Sequence, residues 1–366
     1  MADRALRIAV DGRELLGRPT GVGRYLFEIL RAWASDGTVR HSFTVILPGD
    51  PPPHLTALGP RIHWHVARSS RAGTWWEQMR LPRALAREAP DVFFAPGYTA
   101  PLQHPCPTVV TVHDVSFFAH PEGFPRREGL RRRWLTRTSA RRAARVLTVS
   151  EFSAREIARW LHVRPDHIEV VPNGAPPLAV RRSHPPEGRL VLYVGSIFQR
   201  RRIPLLLEAF RLAHARLPGA RLMLVGENRS APPFDPAAAA AEMGLAKAVE
   251  YRSYVTDDEL ERLYEHARAF VFLSDYEGFA LTPFEAIAHG VPPVLLDTPV
   301  AREIYGDAAR LVRPEPAAIA DALVTLLTDD AAHTALSAAG ARRLPAFSWS
   351  RTAAAALHAL ESAAAR

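Results

Sequence analysis

The sequence is poor in the residues that build covalent and metal cross-links: it has one cysteine, Cys106, and one lysine, Lys247. A lone cysteine excludes an internal disulfide and any cysteine-cluster metal site, and it agrees with a reducing compartment. No apolar stretch approaches the roughly 20 residues that cross a bilayer. The first residues hold only the short apolar run Leu6 to Val10, which reads as a buried strand and not as a leader. Asp-x-Asp, His-Glu-x-x-His and the P-loop Gly-x-x-x-x-Gly-Lys are all missing. No metal ligand and no cofactor is therefore assigned. The charge of any anionic ligand would have to be met by arginines and helix termini.

With a single lysine, nearly all the positive charge behind the net +8 is arginine. An excess of that sign points to an anionic partner: nucleic acid, an acidic membrane surface or a phosphorylated substrate. So uniform a choice is a habit of composition, and arginine at any one site says little about why lysine is absent there. Aromatic residues are not interleaved with the arginines as a stacking platform, and no RNA-binding module is recognisable, so no nucleic acid is expected.

The 366 residues, 48% apolar and 23% charged, suit a soluble chain of two domains. Short β-rich runs alternate with helical stretches throughout. In the first half strands are expected at residues 6–10, 43–47, 62–66, 92–95, 109–112, 146–149 and 168–171, and helices at 23–34, 74–87, 127–144 and 153–161. The second half repeats the rhythm, with strands at 190–194, 221–225, 249–251, 269–273, 294–296 and 310–312. Its helices are expected at 204–216, 257–267, 283–289 and 317–328. Near-continuous apolar strands separated by helices predict parallel sheets buried on both faces, in two doubly wound α/β domains. Residues 172–188 carry five prolines and no apolar period, which marks a linker. An Ala-rich helix is expected from Thr352, packed on a domain. Two such sheets facing one another leave a cleft at the carboxyl ends of their strands, so strand-to-helix turns are where ligand chemistry belongs.

The strongest of these turns runs from Asp275 through Glu277, Gly278, Phe279 and Ala280 to Glu285 and Gly290. Its two glutamates are eight positions apart across a glycine-containing turn. Thr282, Pro283 and Glu285 read as a helix start with a capping threonine, so Glu285 could be no more than a capping-box partner. Gly290 fits the helix stop. Glu277 has no such structural excuse. The second turn, Gly195-Ser196-Ile197-Phe198-Gln199-Arg200-Arg201-Arg202, places three guanidinium groups after a strand, where they can grip phosphate oxygens in bidentate fashion. A solvated charged turn is the plainer reading of such a triplet. The third, Gly17 to Tyr25, contains Gly21 and Gly23, which let backbone approach a ligand, although it is not a full G-x-G-x-x-G fingerprint. The fourth, Thr111-Val112-His113-Asp114, ends a buried strand with a histidine that an adjacent aspartate could orient.

Together these residues resemble a family. Glu277 and Glu285 match the Glu-x7-Glu signature of the retaining glycosyltransferases of family 4, which have the GT-B fold: two Rossmann-like doubly wound domains facing a central cleft. Gly21-Val22-Gly23-Arg24-Tyr25 looks like the family's glycine loop, and Thr111 to Asp114 like its histidine strand end. Leu147 to Ser153, Val171-Pro172-Asn173-Gly174 and Phe347-Ser348-Trp349 resemble the end of the first domain, the hinge and the start of the closing helices. The resemblance implies an acceptor-side domain over 1–177, a nucleotide-sugar domain over 178–345 and a helix over 346–366 that returns to the first domain. It implies catalytic roles for His113 and Glu277 beside the transferred sugar, and ribose binding by Glu285. Arg200 and Arg201 would hold the diphosphate, with Gly21, Gly23, Gly195, Gly278 and Phe279 completing the donor site. The implied reaction moves a sugar of mannose or glucose type from a nucleotide-diphosphate donor to a saccharide or lipid-linked acceptor, without metal and with retention, in surface polysaccharide or glycolipid assembly.

Two departures bear on donor choice. Ala280 replaces the second glycine of the family's Glu-Gly-Phe-Gly run, and Ser196 stands where some relatives have arginine. The stretch Arg126 to Arg145 holds nine arginines and one glutamate, with Leu130, Trp134 and Leu135 among them. It suggests a cytoplasmic protein with peripheral contact to the inner face of a membrane, against the simpler reading of a solvated helix. An epimerase or hydrolase on the same architecture, an inactive sugar-nucleotide sensor and a basic nucleic-acid-binding protein are the competing readings.

Overall fold

The structure, a computed structural model, describes residues 4–17, 20–69, 73–179 and 184–365. It divides into two compact units: Met1–Phe118, Arg127–Gly174 and Ser348–Arg366 form the first, Ala119–Arg126 and Ala175–Phe347 the second.

The first unit is built on seven parallel strands: β1 (Arg7–Asp11), β2 (Ser42–Leu47), β3 (Ile62–Val66), β4 (Val92–Ala95), β5 (Thr108–Thr111), β6 (Arg145–Thr148) and β7 (Ile168–Val170). They lie in the order β3-β2-β1-β4-β5-β6-β7. The second unit has six: β8 (Leu190–Val194), β9 (Arg221–Val225), β10 (Val249–Arg252), β11 (Ala267–Phe272), β12 (Pro293–Leu296) and β13 (Arg310–Val312), in the order β10-β9-β8-β11-β12-β13. Each order is the Rossmann one, with the reversal beside the first strand of the unit. Every residue of β4, β5, β11 and β12 is buried, whereas β7, β10 and β13 at the sheet edges are only partly so. That gradient explains the sequence pattern: central strands covered by helices on both faces are continuously apolar, and edge strands alternate.

All thirteen expected strands form, within a residue or two of their expected ends. The helices differ more: short ones form at Pro53–Thr56, Ser116–Ala119 and Pro299–Ile304, where none is expected. The stretch expected as one helix over 74–87 is two, Thr74–Met79 and Leu81–Glu88, broken at Arg80 with a proline in the first turn of the second. A helix over Asp330–Arg343 was not anticipated; its alanines and glycine give almost no apolar stripe. The final helix begins at Trp349, three residues before Thr352, capped by the Ser348 side chain on the N–H of Arg351.

That final helix, Trp349–Ala364, packs within the first unit against the helix Gly21–Ser35. Ala353, Ala356, Ala359 and Ala363 are buried, and such short side chains let the two helices close in. The indole N–H of Trp33 donates to the Ala353 carbonyl at 2.8 Å, and its ring stacks on Phe43 at 4.7 Å. At the start of the helix Gly174 faces Trp349, where a Cβ would lie 2.4 Å from the indole. Among the described residues of the 172–188 segment, no helix or strand forms.

Candidate functional site

In the second unit, the turns after β8 and β11 meet at the carboxyl edge of the sheet. Phe198 precedes a single tight turn, Gln199–Arg201, that carries two arginines back toward β11. The Arg201 Nε donates to Glu277 Oε1 at 3.0 Å, and its Nη1 donates to the Ser196 carbonyl at 2.7 Å. Its guanidinium lies over the Phe272 ring, 4.8 Å from the centroid. Arg200 lies over Phe198 at 4.5 Å and donates through Nε to the Tyr276 carbonyl at 3.2 Å. The terminal nitrogens of Arg200 have no hydrogen bond among the described residues. Arg202, the third of the run, turns away to pair with Asp275.

Glu277 is the centre of this arrangement. Its Oε1 takes Arg201 and also the hydroxyl of Ser274 at 2.9 Å, with the Nε of Arg200 3.8 Å away. Its Oε2 has no partner among the described residues. Burial works against the charge of Arg201, but the Glu277 carboxylate and the Tyr193 phenol together outweigh it and hold the guanidinium above its ordinary pKa. Two aromatic faces and a carboxylate thus keep two cations in a partly dry pocket, where each is worth more to an incoming anion than in water. Gly195 is part of the same fit: with φ +147°, it would place a Cβ 2.7 Å from Arg201 Nη1.

Beyond Glu277 the chain makes a strained turn. Ala280 has φ +62°, the left-handed region that favours glycine. The hydroxyl of Tyr305, fully buried, bridges the carbonyls of Phe279 and Ala280 at 2.9 and 2.5 Å and holds that turn. The backbone N–H groups of Gly278 and Phe279 have no partner among the described residues, so the loop presents donors. Phe279 itself points its ring into the core, 5.4 Å from both Phe284 and Phe347. What it can offer a ligand is backbone.

The expected helix start is not the one that forms. The helix runs Thr282–Ala288 with Leu281 as its cap residue and no side-chain cap bond. Thr282 is therefore already helical, and Glu285 is one position too far along to close a capping box. Its carboxylate instead accepts the hydroxyl of Tyr264, 3.0 Å from Oε2. Gly290 ends the helix as expected, at φ +71°.

In the first unit the candidate residues gather at the carboxyl ends of β1, β4 and β5. His113 follows β5, 9% exposed, with Nε2 2.9 Å from the Pro96 carbonyl. A carbonyl only accepts, so Nε2 carries the proton; burial lowers the imidazole pKa and keeps the ring neutral. Nδ1 is left as an acceptor, and Tyr25 and Tyr98 enclose the ring at 4.8 and 5.5 Å. Asp114 does not orient this imidazole. It takes the Tyr98 hydroxyl at 3.0 Å and the Ser116 N–H at 2.7 Å.

Gly21 and Gly23 stand in the first turn of Gly21–Ser35, while Arg18 and Pro19 of the same loop lie outside the described residues. A Cβ at Gly21 would meet nothing within 4 Å, and one at Gly23 would lie 2.4 Å from the Glu14 carbonyl. The Gly23 N–H is already taken by the Thr20 hydroxyl at 2.9 Å. Gly23 is thus required by packing, and Gly21 alone leaves open space. Beneath them lies a cluster that no sequence signal announced. Arg13 bonds Glu77 at 2.7 Å and the Thr99 hydroxyl at 3.1 Å, and pairs with Asp11 at 3.2 Å. Burial pushes the Asp11 carboxyl up to about 6.

Two family models match the chain. The glycosyltransferase family 4 model covers residues 19–177 and the glycosyl transferases group 1 model residues 179–343. The O-antigen chain mannosyltransferase B of Escherichia coli is 32% identical over 66% of this chain and 66% of its own length. A GDP-mannose:cellobiosyl-diphosphopolyprenol alpha-mannosyltransferase of Xanthomonas campestris is 33% identical over 55% of this chain and 52% of its own. The matches thus span between half and two thirds of these relatives' lengths. HepE from Anabaena, solved with UDP and glucose, shares the fold with a TM-score of 0.75 at 19% identity, covering 98% of this chain and 100% of its own.

Proposed function

The chain belongs to glycosyltransferase family 4 and has the family's GT-B architecture of two Rossmann-like units, and from that membership we propose that it transfers a mannosyl residue from a nucleotide-diphosphate donor to a saccharide hydroxyl, with retention and without a metal ion. The observation that carries this reading is the cluster of Arg200, Arg201 and Glu277. It combines two cations fit for a diphosphate with a carboxylate oxygen, Glu277 Oε2, left for sugar hydroxyls.

Breaking the anomeric bond builds positive charge on the sugar and negative charge on the leaving diphosphate. Arg200, Arg201 and the unpaired N–H groups of Gly278 and Phe279 stabilise that oxygen charge where it develops, in place of a metal. Glu285 binds the ribose hydroxyls. His113, neutral, accepts a sugar hydroxyl at Nδ1. The departing phosphate takes the acceptor proton, and Glu277 is not a covalent nucleophile. The mannosyl donor is supported by the names of the relatives described above, whose acceptors are glycans or lipid-linked sugars. A lipid-linked acceptor also fits the helix Arg126–Arg142, which exposes Leu130 and Trp134 (61% and 58%) among its arginines. Among the described residues no helix is long and apolar enough to cross a membrane.

The test is turnover of guanosine, uridine and adenosine diphosphate sugars in chelator, following nucleoside-diphosphate release with and without acceptor. Release of one nucleoside diphosphate is expected, dependent on acceptor. Glu277→Gln should lower it by about 10²-fold, since removing one preorganised charged contact from a transition state costs on that order. Release that ignores acceptor would favour a hydrolase or epimerase. No turnover and no donor binding would sink the reading.

A further inference from the structure

Glu285 is held from behind by a short chain of side chains on another helix. Tyr264, on Asp257–His266 and 2% exposed, donates its hydroxyl to Glu285 Oε2 at 3.0 Å. Its ring stacks flat on His289, with centroids 4.8 Å apart and planes 13° apart. His289 is fixed in turn at both nitrogens. Nδ1 lies 2.7 Å from the Glu285 carbonyl, one helical turn back, and Nε2 lies 2.9 Å from Glu261 Oε1. Both ring nitrogens are engaged, so the imidazole plane cannot rotate without losing one of these contacts. The phenol ring also lies near Phe270, with centroids 6.3 Å apart. Glu261 and Tyr264 come from one helix, Glu285 and His289 from the next strand's helix, so the four residues lock two elements to one another around the Glu285 carboxylate.

Nothing in the reaction asks for a buried tyrosine here, and an apolar phenylalanine would fill the same space. The hydroxyl is what differs, and it donates to the carboxylate proposed to grip the ribose. We propose that Tyr264 is a positioning residue for nucleotide recognition: its hydroxyl, aimed by the stack on His289, sets the direction of the Glu285 carboxylate and so gives the donor site its preference for a ribose with both hydroxyls. The proposal rests on the reading of Glu285 as the ribose ligand. A vicinal diol needs a carboxylate in one orientation, because two hydrogen bonds to neighbouring hydroxyls are lost together when it swings. Tyr264 thereby acts on affinity for the ribose and leaves the reacting bond alone.

The test is calorimetric binding of GDP and 2′-deoxy-GDP, or of the UDP pair if uridine proves to be the base, to wild type, Tyr264→Phe, His289→Gln and Glu285→Ala. Wild type should favour the ribonucleotide by about tenfold, the worth of one hydrogen bond to a charged group. Tyr264→Phe should lose most of that preference, binding the deoxynucleotide as before. In turnover it should raise donor KM several-fold and leave kcat within about twofold, which is the split expected when a binding contact and not a transition-state contact is loosened. His289→Gln, which removes the stacked ring but keeps the phenol, should lie between; it decides the matter if Tyr264→Phe lowers the melting temperature so far that binding cannot be read. A ribose preference that survives in Tyr264→Phe and His289→Gln but collapses in Glu285→Ala overturns the positioning role alone. A preference that is absent in wild type, or that survives in Glu285→Ala, overturns the ribose reading and the positioning role with it.

Discussion

Ala280 is an alanine in a conformation that favours glycine. Its φ of +62° sets the Cβ against its own carbonyl, and left-handed backbone costs an ordinary residue roughly 1–2 kcal/mol. The strain persists because the surroundings over-determine it: Tyr305 bridges its carbonyl and that of Phe279. Ala280→Gly should therefore raise stability by about 1 kcal/mol, offset in part by the greater freedom glycine gains when unfolded. Thermal denaturation reads this, and an unchanged or lower midpoint would show that the turn relaxes without glycine. The same turn displays the Gly278 and Phe279 N–H groups, so the strain lies where donor chemistry is proposed. Glu277 shows a second residue-scale lesson. One of its oxygens is spent on Arg201 and Ser274, and only the other is left for a ligand.

Among the elements, the helix Arg126–Arg142 has the most unusual surface. Gly129, Leu135, Thr136, Ser139 and Ala140 face inward, while Leu130 and Trp134, one turn apart, stand out among arginines. Glu128 neutralises part of this charge by pairing with Arg131 and Arg132. Each arginine near an anionic surface contributes about 1 kcal/mol, and the indole and leucine would enter the headgroup layer. Flotation with vesicles is expected to rise with phosphatidylglycerol content, fall with salt and weaken in Leu130→Ser with Trp134→Ser. Flotation indifferent to anionic lipid would end the membrane idea. The final helix makes a different point. Its alanines Ala353, Ala356, Ala359 and Ala363 are buried, and such short side chains let this helix come close to Gly21–Ser35 and to the sheet strands it also packs on.

At the scale of the whole molecule, the buried charge under β1 couples folding to pH. Burial raises the Asp11 carboxyl to about 6, with Glu77 adding to the rise and Arg13 opposing it. The folded state thus keeps this proton to higher pH than the unfolded chain, whose aspartates titrate near 4. The contribution is fully present below about pH 4 and is lost as pH rises through about 6. Urea denaturation of wild type and Asp11→Asn from pH 4 to 8 should show a difference that moves against wild type up to about pH 6 and then levels off. A difference that does not vary with pH would mean that Asp11 titrates like an exposed carboxylate. Denaturant midpoints suit this better than enzyme assays, because the cluster of Asp11, Arg13, Glu77 and Thr99 is proposed for no step of the reaction.

The sequence by itself determined the thirteen strands, both parallel sheets and the turns that hold Arg200, Arg201, Glu277 and His113. These follow from short-range patterns: continuous apolar runs, helix punctuation such as Gly290, and motif spacing after a strand. Where it erred, the error was also local in kind. The break at Arg80 and the cap at Leu281 depend on one or two backbone angles that composition leaves open. Only the tertiary structure decided which groups satisfy one another. Tyr264 finds Glu285 across 21 positions, Tyr305 finds the turn at Ala280 across 25, and Arg13 finds Glu77 across 64. Asp114, beside His113 in the chain, is bonded to Tyr98 and Ser116. Periodicity records which face of an element is buried, whereas the partner of a buried polar group is fixed by how separate elements stack, and a desolvated group takes whichever partner the folded backbone brings within reach.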